Sequence, residues 1–355
     1  MTNPLSHLTS DIRDGNPYAG ETISRGIEYD RFEASTHYIN GSVFSHPYRA
    51  GSRALVQRVQ PMPVISGKEW ADFGCGTGIS TLELAVQHPT FMITAIDASP
   101  GMLELAQHKF HKPFAESSSL GELRNVKDTA LKKYLQEFRK ESESYHVNVR
   151  FMLGDLRNHS FISDESLSGA VAYQFVHWMD KEEGGLLKFF KDLHRMLKPG
   201  ATLAWSTAAH WLGNYGYDKD VYPRGERWFH DNAFKYHFLD ELAKRVPFTA
   251  NYQPIKPPHT FNSVRDITAQ AGLVTEKAGM FYHDYDLGVF MTNHIPGIAR
   301  DIITKGMTAD KPMPEEEQQR IINECLQACV VNPKAMGDTQ RKIQFVPMFT
   351  TTKQS

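Results

Sequence analysis

The chain has 355 residues, of which 41% are hydrophobic, and its 39 Lys and Arg are balanced by 41 Asp and Glu. These values are typical of a globular protein and exclude a disordered or collagen-like chain. Nucleic-acid binders usually carry a basic excess, so no nucleic-acid partner is expected. The chain is long enough to bury a core without disulfides, and its three cysteines cannot form a disulfide framework.

Residues 1–45 are predicted to form an N-terminal arm. Its first 25 residues are polar and lack the apolar core of a signal peptide. No run in the chain reaches 18 apolar residues, so no membrane partner is expected. A reducing, cytoplasmic location is therefore the default expectation.

From residue 46 onward, short apolar runs alternate with segments of helical periodicity. After a short helix over 46–60, the predicted strands are 69–73, 91–97, 147–153, 167–176, 202–207, 273–285 and 343–351. The predicted helices that follow are 79–87, 100–109, 181–197, 263–271 and 315–330. This alternation predicts a Rossmann-like, doubly wound α/β fold, in which helices cover both faces of a mostly parallel seven-stranded sheet.

Two stretches interrupt the alternation inside one predicted domain over 46–355. Residues 110–146 contain apolar side chains at helical spacing among Lys and Glu, which indicates an inserted helix that covers the fold. Residues 208–262 are rich in Trp, Tyr, His and Pro and are predicted to form an aromatic lid. Cys325 and Cys329, four residues apart in a predicted helix, are interpreted as core residues rather than a redox or metal pair.

A glycine-rich loop follows the first predicted strand. Gly74, Gly76 and Gly78 stand in the sequence DFGCGTG, where a strand ends and a helix begins. Glycines there allow a tight turn and the close approach of a ligand, and the start of the helix offers unpaired N–H groups. The dinucleotide fingerprint requires glycine at the position of Ile79. The spacing therefore disfavours an NAD-dependent oxidoreductase and favours a less phosphorylated ligand.

Acidic residues stand at the ends of the first three strands. Asp97 ends the second strand, where a carboxylate can accept two hydrogen bonds from a ribose diol. Asp155 follows the third strand beside Gly154, where it can accept from an exocyclic amine. Taken alone, each acid is more often a helix cap or a solvated loop residue than a ligand-binding group. Together with Asp72, they indicate a ligand site, because open parallel sheets bind ligands at the carboxyl ends of their strands.

These motifs resemble those of a class I S-adenosylmethionine-dependent methyltransferase. The resemblance rests on ADFGCGTG at 71–78, AIDASPGM at 95–102, GDL at 154–156, AYQFVHW at 172–178 and LKPG at 197–200, in the order of that family. It spans about residues 46–210, and the chain from 263 is similar to the closing strands of the family. The His-Trp pair after the fourth strand is similar to a small-molecule branch that includes trans-aconitate and juvenile-hormone-acid methyltransferases.

The resemblance implies S-adenosyl-L-methionine as the cofactor. The glycine loop would line its methionine part, Asp97 would hold the ribose hydroxyls, and Gln174 would face the sulfonium. Residues after the second and third strands would surround the adenine, while Tyr29 and Tyr38 of the arm would close over the cofactor. In all, the implied cofactor-binding residues are Tyr29, Tyr38, Asp72, Gly74, Cys75, Gly76, Gly78, Asp97, Ala98, Met102, Asp155, Leu156 and Gln174.

Aromatic side chains crowd the region expected to hold the methyl acceptor. Four of the five tryptophans lie between residues 178 and 228. The lid is interpreted either as an aromatic cage around a sulfonium or a cationic intermediate, or as a segment that packs its own small core. Arginines in the lid suit an anionic acceptor, although such lid charges are more often simply solvated. The candidate acceptor-binding residues are Trp178, Trp211, Arg224, Arg227 and Trp228.

His177 is the candidate general base, because it follows the fourth strand and would face the methyl group. The alternative is a histidine fixed by packing against Trp178. An ionised carboxylate acceptor would need no base, whereas a hydroxyl or an amine would. No metal site is predicted, since no Cys or His cluster has the spacing of metal ligands.

The leading hypothesis is methyl transfer to a small molecule, by O-methylation of a carboxylate or hydroxyl through in-line displacement. Two alternatives stay open. One is a C-methyltransferase or cyclase that acts on a prenyl diphosphate or another natural-product intermediate. The other is a cofactor-binding regulatory protein without catalysis. The expected partner is a small-molecule acceptor, and the sequence leaves the oligomeric state open.

Overall fold

The computed structural model describes residues 27, 30, 47–58, 69–110, 129–145, 148–157, 161–181, 184–207, 211, 237–246, 259–286, 299, 303, 313–331 and 341–354. Most of the predicted arm and lid, and the first part of the predicted insertion, lie outside these residues. The chain divides into two compact units, one of 1–211, 259–281 and 345–355, the other of 212–258 and 282–344. The predicted boundaries of the arm, the insertion and the lid stay predictions.

The described elements confirm the predicted alternation of strands and helices. They are α1 Pro47–Val56, β1 Glu69–Phe73, α2 Ile79–Gln87, β2 Met92–Asp97, α3 Pro100–Phe110, α4 Thr129–Ser144, β3 Val149–Leu153, β4 Gly169–Ala172, α5 Gly185–Met196, β5 Thr202–Ser206, α6 Phe261–Gln270, β6 Leu273–Asp286, α7 Glu315–Val330 and β7 Arg341–Lys353. Most boundaries agree with the prediction within three residues. Three boundaries differ by four residues: α1 ends earlier, α5 begins later, and β4 ends earlier, before a 3-10 helix over Val176–Lys181.

The seven strands form one sheet in the order β3-β2-β1-β4-β5-β7-β6. Strands β1 to β5 pair in parallel, and β7 runs antiparallel to β5. The mostly parallel seven-stranded sheet is thus confirmed. The chain reverses its direction of travel across the sheet between β1 and β4, and ligands bind open α/β sheets at such a switch point.

The inner strands are apolar because their side chains are buried on the faces of the sheet. All four residues of β4 are buried, as expected for an inner strand of a parallel sheet. Trp205 of β5 is fully buried and its indole Nε1 donates to Thr351 Oγ1 at 2.9 Å. That hydrogen bond satisfies the single polar atom of the indole inside the core.

The inserted helix α4 packs on α3, as the periodicity predicts. Its apolar face, which includes Leu131, Tyr134 and Phe138, is buried. The rings of Phe138 and Phe110 meet edge to face at 5.4 Å between centroids. Helix α4 thus covers α3, while the insertion over 110–146 as a whole stays a prediction.

The second unit has its own small core. Phe238 and Leu242, in a helical stretch over 237–245, cluster with Ile322 of α7. Cys325 and Cys329 lie fully buried in the same cluster, and burial raises the pKa of their thiols to about 11 and about 12. Both thiols are thus protonated near neutral pH, which confirms their interpretation as core residues. Within the described parts of the chain, no helix is both long and apolar enough to cross a membrane.

Candidate active site

A cavity of about 240 Å³ lies in the first unit at the carboxyl ends of β1 to β4. Each of these strands contributes the residue that directly follows it: Gly74 after β1, Ala98 after β2, Gly154 after β3 and Tyr173 after β4. The cavity therefore stands at the switch point of the sheet, where the acids and glycines of the sequence predicted a ligand site.

The glycine loop turns tightly and leaves room beside its backbone. Gly74, Gly76 and Gly78 all have left-handed φ values, between 53° and 86°. A Cβ on Gly74 would come within 2.0 Å of the Phe175 ring, whereas a Cβ on Gly76 would meet no protein atom within 4 Å. Gly74 and Gly76 line the cavity, as predicted, and Gly78 does not. A Cβ on Gly78 would instead lie 2.8 Å from Phe110 Cε2.

Asp97 is held in position by the loop and by its own strand end. Gly76 N donates to Asp97 Oδ2 at 2.8 Å, and Ser99 N donates to Asp97 Oδ1 at 2.9 Å. Asp97 also lines the cavity. Since each carboxylate oxygen has two lone pairs, a carboxylate in this position can still accept from a ribose diol.

The walls beyond Asp97 suit an adenine ring. Ala98, Met102 and Leu156 line the cavity with apolar atoms, and Asp155 lies beside them, all as predicted. Asp155 also forms an ion pair that the sequence motifs do not indicate: Arg157 Nε lies 2.9 Å from Asp155 Oδ1 and 3.0 Å from Oδ2. An adenine amine that binds Asp155 would share this carboxylate with Arg157.

Asp72 is fully buried and does not line the cavity. Ser80 Oγ and Thr81 Oγ1 donate to its Oδ2 at 2.7 and 2.6 Å, so this carboxylate joins the end of β1 to the first turn of α2. Burial raises the pKa of Asp72 to about 6. The predicted contact of Asp72 with the cofactor is thus replaced by a role in anchoring the loop.

Two further predicted residues, Cys75 and Gln174, line the cavity. Burial raises the pKa of the Cys75 thiol well above its usual value, so the thiol is no nucleophile at neutral pH. Gln174 has a φ of 51°, rare for a residue with a side chain, and its backbone N donates to Ser206 Oγ at 2.8 Å. Its Nε2 is buried without a hydrogen-bond partner within the described residues. Strained, unsatisfied groups of this kind are typical of ligand sites.

Of the residues predicted to bind the acceptor or to act in catalysis, only some line the cavity. Trp178 lines the cavity and is 41% exposed, whereas Trp211 is buried and does not line it. His177 does not line the cavity either, and its Nδ1 lies 3.3 Å from Thr207 Oγ1. The remaining predicted residues lie outside the described part of the chain, namely Tyr29, Tyr38, Arg224, Arg227 and Trp228.

Trp211 belongs instead to a cluster around Asp180. Trp211 Nε1 donates to Asp180 Oδ2 at 3.1 Å, and His259 Nε2 lies 2.9 Å from the same oxygen. Residues 211 and 259 flank the segment 212–258 of the second unit in sequence. Asp180 lies in the 3-10 helix that also carries Trp178 and Met179 into the cavity wall, so residues 211 and 259 both contact this helix.

Sequence reasoning missed the contribution of α1. Tyr48 and Ser52, four residues apart on one face of this helix, both line the cavity. The Tyr48 ring meets Tyr173 edge to face at 6.3 Å, and Ser52 Oγ is buried with no hydrogen-bond partner in the described structure. Their i,i+4 spacing was a usable signal, but the sequence does not say which helix face meets the sheet.

The residues present fit S-adenosylmethionine. The backbone cradle at Gly76, the Asp97 carboxylate and the apolar walls at Met102 and Leu156 offer places for its methionine, ribose and adenine parts. Within the described residues, no three His, Cys, Asp or Glu side chains are grouped to hold a metal ion.

Residues 71–205 match the family model described as a methyltransferase domain. No curated protein sequence matches the chain.

Among solved structures, the YcgJ protein of Bacillus subtilis is 13% identical over 86% of this chain and 98% of its own, with a TM-score of 0.43. A phosphoethanolamine N-methyltransferase 2 of Haemonchus contortus, in complex with S-adenosylmethionine, is 12% identical over 97% of this chain and 60% of its own, with a TM-score of 0.45. Geranyl diphosphate C-methyltransferase of Streptomyces coelicolor is 10% identical over 86% and 79%, with a TM-score of 0.39. With TM-scores below 0.5, these likenesses say nothing of the reaction or the substrate of this chain.

Proposed function

We propose that the chain uses S-adenosyl-L-methionine to methylate a small molecule at a carboxylate or hydroxyl oxygen, since residues 71–205 match the family model of a methyltransferase domain. The observation that carries the proposal is the cavity of about 240 Å³ at the strand ends, which continues from the glycine loop to the aromatic wall at Tyr173 and Trp178. A pocket of this kind suits a small ligand better than a polymer, which needs an open groove.

The charge and polarity of the lining residues change along the cavity. The charged ones among them are Asp97, at the end of β2, and Asp155 and Arg157, after β3, where the adenosine part belongs. The wall after β4 is mostly aromatic and apolar in its described residues, with Tyr173, Phe175, Trp178 and Met179 beside the polar Gln174, and Tyr48 of α1 adds to it. This wall favours an acceptor with an apolar body. A cationic partner for an anionic acceptor would come from Arg224 and Arg227 of the predicted lid.

When bound, the cofactor supplies a sulfonium methyl group that a nucleophile displaces, with S-adenosylhomocysteine as the second product. The chain contributes by orienting the acceptor against that methyl and by excluding water from the cavity. Since no lining residue that the structure describes is a histidine, a carboxylate acceptor, which needs no general base, is favoured over a hydroxyl.

A panel of carboxylic acids, alcohols and prenyl diphosphates tests the proposal, with the formation of S-adenosylhomocysteine as the readout. Turnover is expected with a carboxylic acid, and its pH profile should stay flat above about pH 6 in His177→Ala, because the acid is already ionised. If His177 is the base for a hydroxyl acceptor, turnover should instead fall about 100-fold in His177→Ala. His237→Ala, in the second unit, is the matched control and should behave like the wild type. Methylation of a protein, with no small-molecule turnover, would contradict the proposal.

The aromatic wall also supports a second candidate, C-methylation or cyclisation of a prenyl diphosphate. Aromatic faces such as those of Trp178 and Trp228 stabilise a carbocation by about 0.5–2 kcal/mol for each ring. Trp178→Leu or Trp228→Leu should then lower kcat more than substrate affinity, because the cation exists only along the reaction path. Equal loss in kcat and affinity would speak against this candidate.

A regulatory protein is the remaining alternative. It would bind S-adenosylmethionine with saturation and form no S-adenosylhomocysteine with any acceptor of the panel. Turnover above the rate without acceptor would exclude this alternative.

A further inference from the structure

A buried ion pair connects the N-terminal arm to the core of the first unit. Lys109 Nζ of α3 lies 2.7 Å from Asp30 Oδ2, and both side chains are 0% exposed. Burial raises the pKa of the Asp30 carboxyl, whereas the bonds from Lys109 and Thr77 lower it. Buried pairs contribute little net stability, so such a pair points to positioning rather than to stability.

The other oxygen of the same carboxylate contacts the glycine loop. Thr77 Oγ1 donates to Asp30 Oδ1 at 2.6 Å. Thr77 lines the cavity and lies between Gly76 and Gly78, which both have left-handed φ values. Because glycines give a loop many conformations, a fixed side chain between them restricts the backbone that faces the cavity.

The inserted helix α4 completes the site that holds Lys109. The ammonium of Lys109 lies 4.1 Å from the centroid of the Phe138 ring, and Ser142 Oγ donates to the Lys109 carbonyl at 3.3 Å. A ring face attracts a cation most strongly when water is excluded, as it is here. Helix α4 therefore helps to keep Lys109, and through it Asp30, in place.

We propose that Asp30 is a positioning residue for the cofactor: it holds Thr77, and Lys109 and Phe138 hold Asp30, so that the glycine loop is ordered before the cofactor binds. This inference rests on the proposed function and gives the insertion over 110–146 a part in it. The gain is in affinity, because a loop that is already ordered has less conformational freedom to lose on binding.

Thr77→Val removes the hydroxyl and keeps the shape of the side chain, and it leaves the ion pair in place. Its affinity for S-adenosylhomocysteine, measured by calorimetry, should fall about 5- to 10-fold, the equivalent of one hydrogen bond. Thr77→Ser keeps the hydroxyl and should bind within about 2-fold of the wild type. Equal binding by the wild type and Thr77→Val would overturn the inference.

A cycle with the charge-neutral pair Asp30→Ala/Lys109→Met separates positioning from stability. This double variant should lose the same 5- to 10-fold in affinity, and adding Thr77→Val to it should cause no further loss, because Thr77 has already lost its partner. If the loss of affinity in the triple variant equals the sum of the losses in Thr77→Val and in the double variant, the inference is overturned. If the double variant does not fold, the comparison of Thr77→Val with Thr77→Ser still decides.

The ion pair of Lys353 with Glu165, 2.9 Å apart and away from the cavity lining, provides the control. Lys353→Met/Glu165→Gln should lower the melting temperature without a change in cofactor affinity. A wild-type chain that does not bind S-adenosylhomocysteine would overturn the proposed function together with this inference. If the wild type binds S-adenosylhomocysteine and Thr77→Val binds it with the same affinity, only this inference is overturned.

Discussion

The two sides of the cavity differ in how far apart in the sequence their hydrogen-bonded residues lie. On the cofactor side, Asp97 bonds to Ser99 and Gly76, 2 and 21 residues away. On the side after β4, Asp180 bonds to Trp211 and His259, 31 and 79 residues away. The cofactor side is thus encoded by nearly contiguous motifs, whereas the other side depends on where distant segments meet. Changes on the first side should therefore alter cofactor affinity, and changes on the second should not.

The largest effect on the cofactor side is expected from Asp97→Ala. The variant loses the acceptor of the ribose hydroxyls as well as the bonds from Gly76 N and Ser99 N. The affinity for S-adenosylhomocysteine should fall by roughly 2–4 kcal/mol, about 30- to 1,000-fold, as measured by calorimetry. Asp155→Ala should lose less, because Arg157 already shares that carboxylate. Unchanged binding by Asp97→Ala would contradict the assignment of this cavity as the cofactor site. Tight binding of NADH by the wild type would instead favour an NAD-dependent oxidoreductase.

The next effect concerns Asp72, which anchors the loop from inside the protein. Its pKa of about 6 in the folded state is above its ordinary value of 3.8, so the folded state binds more protons between these values. The group stabilises the fold fully below about pH 4, and that stability is lost as the pH rises through 6. The free energy of unfolding of the wild type should thus fall by about 3 kcal/mol more than that of Asp72→Asn between pH 4 and pH 7. Denaturant titrations at both pH values check this, and parallel curves would contradict it.

A smaller effect separates the shape of the loop from its role in binding. Gly76→Ala and Gly184→Ala both place a Cβ in open space at a left-handed φ, of 53° and 72°. Each should lower the free energy of unfolding by about 1–2 kcal/mol. Only Gly76→Ala should also weaken cofactor binding, because Gly76 lines the cavity and Gly184 precedes α5 away from it. Equal cofactor affinity in the two variants would show that the cradle at Gly76 is not used.

The smallest effect on the cofactor is expected from Asp180→Asn. The variant weakens the contacts to Trp211 and His259, so the free energy of unfolding should fall by about 1 kcal/mol. Calorimetry with S-adenosylhomocysteine should give the wild-type affinity within about 2-fold. A larger loss of affinity would break the distinction between the two sides of the cavity.

The two sides of the cavity also differ in how well the sequence predicts them. The strands, Gly74, Gly76, Asp97 and Met102 could be predicted because backbone conformation and strand ends dictate residue type within a short stretch of sequence. The position of Trp211 could not be predicted, because its hydrogen-bond partner Asp180 lies 31 residues away in the sequence. Asp72 was assigned to the cofactor because it stands next to the loop, but hydroxyls of the following helix bind its carboxylate.

A crystal structure of the protein with S-adenosylhomocysteine would test the central claim most directly. We expect ribose oxygens within hydrogen-bond distance of the Asp97 carboxylate, the adenine between Met102 and Leu156, and the methionine part along the backbone of Gly76. The space beyond the sulfur should then open toward Tyr173 and Trp178. A ligand bound elsewhere, or bound in this cavity without contact to Asp97, would contradict the account.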